Sequence, residues 1–269
     1  MSLLEITGYM ASVLVGVSLG LIGGGGSILV VPVLVYLFSL APGPATSYSL
    51  FIVGATSLVG AWRSYQQGML STRTAFLFGL TSIATVFITR HLLFPAIPET
   101  IVQLHTVVIT KSLLIMVLFS LLMLPAGFSM IRSGRTEAPA PVGDMPVSYG
   151  RLFLNGVGIG LVTGLLGAGG GFLIIPSLVL LLRMRMKKAI GTSLLIIGLN
   201  SLIGFVGDLG QYAIDWELLL SVSLLAMGGI LLGGLIGRRI PGEKLKKSFG
   251  WFVLSMAVYI LTRELGHDM

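Results

Sequence analysis

The chain carries one interrupted hydrophobic segment twice. The first copy reads Gly16-Val-Ser-Leu-Gly20-Leu-Ile-Gly23-Gly24-Gly25-Gly26-Ser27-Ile-Leu-Val-Val-Pro32. The second reads Gly160-Leu-Val-Thr-Gly164-Leu-Leu-Gly167-Ala168-Gly169-Gly170-Gly171-Phe-Leu-Ile-Ile-Pro176. The offset of 144 residues holds without a gap well past the prolines. Ala45, Ser49, Leu50, Ile52, Gly54, Ser57, Leu58, Gly60 and Gln67 recur as Ala189, Ser193, Leu194, Ile196, Gly198, Ser201, Leu202, Gly204 and Gln211. Each glycine inside a helix costs about 1 kcal/mol against alanine, so a run of them breaks the helix. Two related halves, each broken at the same place, form the sequence pattern of a secondary transporter.

Composition makes lipid the solvent. Apolar residues are 55% of the chain and charged residues 10%, against about 25% charged in an average soluble domain. Mean hydropathy is +0.99. There is no cysteine, which excludes disulfides and thiolate chemistry. His91, His105 and His267 are too scattered to make a local metal motif. The N-terminus carries Glu5 in place of the basic stretch of a signal peptide, so the first apolar segment is expected to be retained. The net charge of +7 sits mainly in two clusters: Arg183, Arg185, Lys187 and Lys188, then Arg238, Arg239, Lys244, Lys246 and Lys247. Both lie between apolar runs, as a positive-inside bias requires and nucleic-acid binding does not.

Apolar runs fall at 3–22, 27–40, 45–62, 74–94, 103–124, 151–166, 171–183, 189–206, 214–237 and 247–263. The 27–40 and 171–183 runs cover only about 20 Å of a roughly 30 Å hydrocarbon core. The basic clusters place both ends of the 189–237 stretch inside, and the Asp208, Asp215 and Glu217 loop outside. In the first half, the uncharged Ser39–Pro44 loop goes outside and the loop with Arg63 and Arg73 inside. The expected fold is an all-α integral membrane protein of two inverted repeats. Each repeat has a glycine-broken or re-entrant helix pair plus three transmembrane helices, about 8–10 membrane segments together. Residues 1–124 form the first repeat, 125–150 a cytoplasmic linker and 151–269 the second, with both termini outside.

Irregular backbone inside a bilayer must be buried in protein or line a water-filled cavity. The helix starts after the two glycine runs present free N–H groups and a partial positive charge. The candidate binding groups are therefore Gly24, Gly25, Gly26 and Ser27, and Gly169, Gly170, Gly171 and Phe172, clasping one small anion between two helix starts. The other reading of these glycines is close helix packing, which fits spacings such as Gly16/Gly20 and Gly229/Gly233/Gly237. Ser49, Thr192, Ser193 and Asn200 are further candidate donors, with interhelical or back-bonded hydrogen bonds as the alternative. No carboxylate is expected deep in a span, which favours an anion over a cation. Lys111, within the 103–124 run, is either a coupling group or a snorkelling side chain. Gly167–Gly171 lacks the Gly-Lys-Ser/Thr ending of a P-loop, and no triad or metal cluster is visible, so no enzyme and no cofactor is expected.

These residues carry a resemblance. Gly23–Gly26 through Pro32, Gly167–Phe172 through Pro176, Lys188-Ala189-Ile190-Gly191-Thr192-Ser193, and Gly233-Gly234 through Gly237-Arg238-Arg239-Ile240-Pro241 resemble the sulfite exporter TauE/SafE family, within the wider TSUP permeases. In the first half, Ala45-Thr46-Ser47-Tyr48-Ser49 departs from the Gly-Thr-Ser form. The resemblance implies a bacterial inner-membrane permease for sulfite, thiosulfate, organosulfonates or related sulfur anions. Its partners would be that small anion and the lipid bilayer, with no nucleic acid; a homo-oligomer or a partner protein stays open. The alternative is an anion channel, or a membrane subunit that assists a partner in sulfur metabolism.

Overall fold

The structure is a computed structural model that describes residues 3–104, 107–132, 149–167, 169–182, 184, 186–236 and 242–267. His105, Ala168, Arg183, Arg185, the 237–241 stretch and most of the expected linker lie outside the described residues.

Helices form where the apolar runs predict them. Helix α1 (Leu3–Ile22) stops at the first glycine run. Gly23 turns the chain with φ 73°, a left-handed conformation that side chains rarely tolerate. A 3₁₀ turn (Gly24–Leu29) and helix α2 (Val30–Tyr36) follow. Pro32 falls in the first turn of α2, where a missing N–H costs little. Helix α3 (Pro42–Gln66) starts on a proline after the extended residue Ala41. Helix α4 (Thr72–Ile88) runs on through a π-helical turn (Thr89–Leu93) into the short α5 (Phe94–Ala96). Strands β1 (Thr100–Leu104) and β2 (Val107–Thr110) then pair antiparallel, Leu104 opposite Val107 and Thr100 opposite Thr110.

The architecture is that of an all-α membrane protein, and this hairpin corrects only the 103–124 span. Thr100, Ile101, Val102, Val107, Val108, Ile109 and Thr110 are β-branched, and such side chains favour pleated backbone over helix. Helix α6 therefore begins at Lys111 and runs through Pro125 to Arg132, past the boundary drawn at 124. Helix α7 (Tyr149–Leu166) ends at the second glycine run, and α8 (Gly171–Leu181) starts after Gly170 at φ 63°. Helices α9 (Met186–Asp208), α10 (Trp216–Ile236) and α11 (Gly242–His267) complete the chain.

Among the described residues, six helical segments are long and apolar enough to cross a membrane. They lie in α1, α3, α4 with its continuation, α6, α9 and α10; Gly26–Tyr36 and Phe153–Leu166 are shorter apolar helices. Leucine, valine and phenylalanine side chains stand exposed along them, such as Leu14 at 67% and Leu224 at 67%, as lipid contact allows.

Packing repeats under exchange of the halves. Helices α1 and α10 pack together, and so do their counterparts α7 and α4. The α3–α10 contact is matched by α9–α4, and α3 crosses α9, its own counterpart. The match extends to single residues. A methyl group placed on Gly54 would lie 2.8 Å from Leu202 Cδ2, and one on Gly198 would lie 2.6 Å from Leu58 Cδ2. Likewise Gly60 faces Leu194 Cδ1 at 3.0 Å, and Gly204 faces Leu50 Cδ1 at 3.1 Å. Small residues let these helix backbones approach, and close van der Waals contact drives association in lipid.

Candidate functional site

The two glycine breaks meet in the core. The 3₁₀ turn packs on α8, and the backbones of Gly24 and Gly171 touch directly, so a methyl group on either would overlap the other. Gly23 lies against Ile190 and Gly167 against Thr46, so each break also seats on the long central helix of the opposite half. Gly24 and Gly171 are in contact and leave no room for a ligand between those two residues. Gly26 packs on Ser18 and the Leu19 backbone, and Gly170 on the Thr163 hydroxyl. A methyl group on Gly169 would lie 2.7 Å from Val53 Cγ1 and 3.0 Å from Ser201 Oγ. Nothing is described of the Gly25 surroundings or the Phe172 side chain, although both backbones belong to described elements.

Most of the expected side-chain donors bind the protein itself. Ser27 Oγ donates to the Gly24 carbonyl at 2.8 Å, and Ser193 Oγ to the Ile190 carbonyl at 2.8 Å. Thr192 Oγ1 accepts the Ser71 N–H at 3.0 Å, satisfying a free donor at the start of α4. Asn200 Nδ2 donates to Ser82 Oγ at 2.8 Å, tying α9 to α4. Ser49 differs: it is fully buried with no hydrogen-bond partner among the described residues. Thr56, Ser57, Thr163 and Ser201 share that state. An unpaired buried hydroxyl costs about 1–3 kcal/mol, so a set of them drawn from α3, α7 and α9 needs a reason beyond stability. Ser201 and Thr163 face the second break directly, at Gly169 and Gly170.

A second polar cluster lies where α3 and α6 start and α4 and α9 end. Arg90 Nη1 donates to Asp208 Oδ2 at 3.1 Å and to Thr46 Oγ1 at 3.1 Å. Lys111 Nζ donates to the Phe94 carbonyl at 2.7 Å. The Phe94 ring lies 4.5 Å from Arg90 Cζ and 4.2 Å from Lys111 Nζ, so two cations share one aromatic face system. Lys111 is only 7% exposed. It does not snorkel from within a span but starts α6, its N–H bonded to the Glu99 carbonyl. Asp208, expected in an outside loop, is instead the buried last residue of α9. It stands at the end of its span and not deep within it, but sealed in the protein. Arg90 falls inside the 74–94 apolar run, where an ionisable residue is a candidate functional group. Just beyond α9, burial and the Asp208 carboxylate push the Tyr212 phenol above its ordinary value.

Apolar helices around a doubly broken, hydroxyl-bearing core define a multi-pass membrane transport protein. The sulfite exporter TauE/SafE family model matches residues 9–260, and the chain belongs to that family. It is 32% identical over 256 residues to a probable membrane transporter protein of Xylella fastidiosa strain 9a5c, covering 93% of this chain and 92% of that protein. It is 27% identical over 236 residues to the probable membrane transporter protein YdhB of Bacillus subtilis, covering 87% and 91%. A probable membrane transporter protein of Haemophilus influenzae is 23% identical over 270 residues, covering 93% and 95%. No solved structure matches the chain.

Proposed function

We propose that this transporter carries a small sulfur-containing anion, such as sulfite, thiosulfate or an organosulfonate, by alternating access between two inverted halves. One observation carries the reading: two glycine-broken elements meet backbone to backbone, with the unpaired hydroxyls of Thr163 and Ser201 against the second of them. The Gly170 carbonyl accepts the N–H groups of Leu173 and Ile174. The N–H groups of Gly171 and Phe172 precede that first closed turn and are the donors a helix start offers to an anion. With Gly169, Gly170, Thr163 and Ser201 around them, and Gly24, Gly25, Gly26, Ser27, Ser49 and Ser57 from the other half, they form the binding region. Thr192, Ser193 and Asn200 would hold its frame. The membrane is the bacterial inner membrane, with both termini outside, because the basic loops then face inward.

The test is flux of sulfite, thiosulfate and methanesulfonate into liposomes that hold only this chain. Saturable flux that follows an ion or substrate gradient supports the reading. It should fall when Thr163→Val and Ser201→Ala are combined in a protein that still folds. Non-saturable flux would replace the carrier with a channel.

A further inference from the structure

Arg90 keeps its most useful edge unused. Its side chain is fully buried, and only Nη1 has hydrogen-bond partners; Nε and Nη2 have none among the described residues. Nε and Nη2 form the side of a guanidinium that grips two oxygens of one anion in a parallel fork. Asp208, the one carboxylate bonded to Arg90, takes the other nitrogen and leaves its own Oδ1 unpaired. Three guanidinium protons are thus unspent against one free carboxylate oxygen. Thr89 Oγ1, next in sequence, is also buried and unpaired. Lys111 contributes a second buried cation on the Phe94 ring, donating to the Phe94 carbonyl. Glu99, which also bears on Lys111, is exposed to solvent. Among the described residues, two buried cations therefore share one buried carboxylate, and a buried charge without a counter-charge is costly.

We propose that the Nε–Nη2 edge of Arg90, with Lys111 across the Phe94 ring, is a binding site for an oxyanion that presents two oxygens: a sulfonate, sulfite or carboxylate. The site lies at the end of α9 opposite Lys187 and Lys188, one helix length from the basic loop. It is separate from the glycine crossing, and it rests on the transport reading only for why an anion enters the core. Asp208 is the resident competitor. An arriving oxyanion takes the unpaired edge and neutralises the surplus cation while Nη1 keeps its Thr46 contact.

The test follows the thermal unfolding midpoint of the detergent-purified full chain, titrated with sulfite, methanesulfonate and acetate, and with chloride as the single-atom control. A ligand of the folded state raises the midpoint with the logarithm of its excess over Kd. The oxyanions should stabilise the protein more than chloride does. Arg90→Lys keeps the charge and removes the fork, so the apparent affinity should fall about tenfold or more. Asp208→Asn removes the competitor, so affinity should rise, which a merely structural ion pair would not produce. Wild-type affinity in Arg90→Lys, no tightening in Asp208→Asn, or no response of the wild type to any oxyanion overturns the site. If Arg90→Lys does not fold, Asp208→Asn decides. Oxyanion binding that is lost in Thr163→Val/Ser201→Ala but kept in Arg90→Lys sinks this site alone. Binding that depends on Arg90, in a protein whose flux ignores Thr163 and Ser201, sinks the glycine-crossing reading alone.

Discussion

Arg90 and Asp208 form a 3.1 Å ion pair whose side chains are 0% and 1% exposed, and they belong to opposite halves of the duplicated chain. The pair joins the turn after α4 to the last residue of α9 at one end of the helix array. At the matching place in the other half the arrangement is uneven. Gly207 faces Arg90, whereas its counterpart Arg63 faces Gly234 and donates to the Leu231 carbonyl at 2.8 Å. The two ends of a near-symmetric core therefore carry different charge.

Breaking this pair should cost more than erasing it. Asp208→Ala leaves a buried cation unpaired and should destabilise the protein by about 3–5 kcal/mol. The double variant Arg90→Met/Asp208→Leu should recover most of that loss. Chemical unfolding of the single and double variants in one detergent measures the difference; equal losses would show that the pair is not sealed from solvent.

Glycine substitutions should separate by what lies opposite them. Gly171→Ala presses on the Gly24 backbone, which cannot turn aside, and should cost about 1–3 kcal/mol. Gly158, inside α7, has nothing within 4 Å of an added methyl group, so Gly158→Ala should stabilise by up to about 1 kcal/mol. Thermal unfolding midpoints of the two variants should move in opposite directions.

The unpaired hydroxyls should separate stability from transport. Ser57→Ala and Thr163→Val remove buried groups that have no hydrogen-bond partner among the described residues. Each should leave folding unchanged or stabilise it by about 1 kcal/mol, yet lower the flux of sulfur anions. A variant that lost stability and flux in proportion would assign the hydroxyl to packing.

Tyr212 should set part of the alkaline limit. Its folded state resists ionisation through burial first and the Asp208 carboxylate second, above the ordinary value of 10.0. Stability from the neutral phenol is complete below that value and is lost as pH rises through it, because the unfolded chain ionises first. Tyr212→Phe should therefore gain on the wild type only above about pH 10. Parallel unfolding midpoints from pH 7 to 11 test this.

The duplicated breaks and most helix positions were legible because glycine runs and hydropathy act locally. Pro42 marks the start of α3, and Gly23 and Gly170 mark the turns, for reasons that need no partner. The hairpin was legible in principle. Its β-branched residues stand in plain sequence, but hydropathy alone merges residues 103–110 with the helix that follows. The partners of Thr192 and Asn200 could not be read, because Ser71 and Ser82 are more than 100 residues away and belong to the opposite half. Arg90 was visible as a charge in an apolar run. What the sequence could not reveal was its pairing with Asp208, whose burial depends on how α9 ends against α3 and α4.

The reciprocal contacts of Gly54 with Leu202 and Gly198 with Leu58 bear on how such a chain arises. Each half covers the other with a surface closely like its own. A half released by itself would expose a face whose best-fitting cover is a second copy of that half. An ancestral self-pairing segment would thus need no new interface when its gene doubled. Fusion would then free the two copies to diverge, and the ion pair of Arg90 with Asp208, which the other half does not repeat, is the kind of asymmetry only a fused pair can hold.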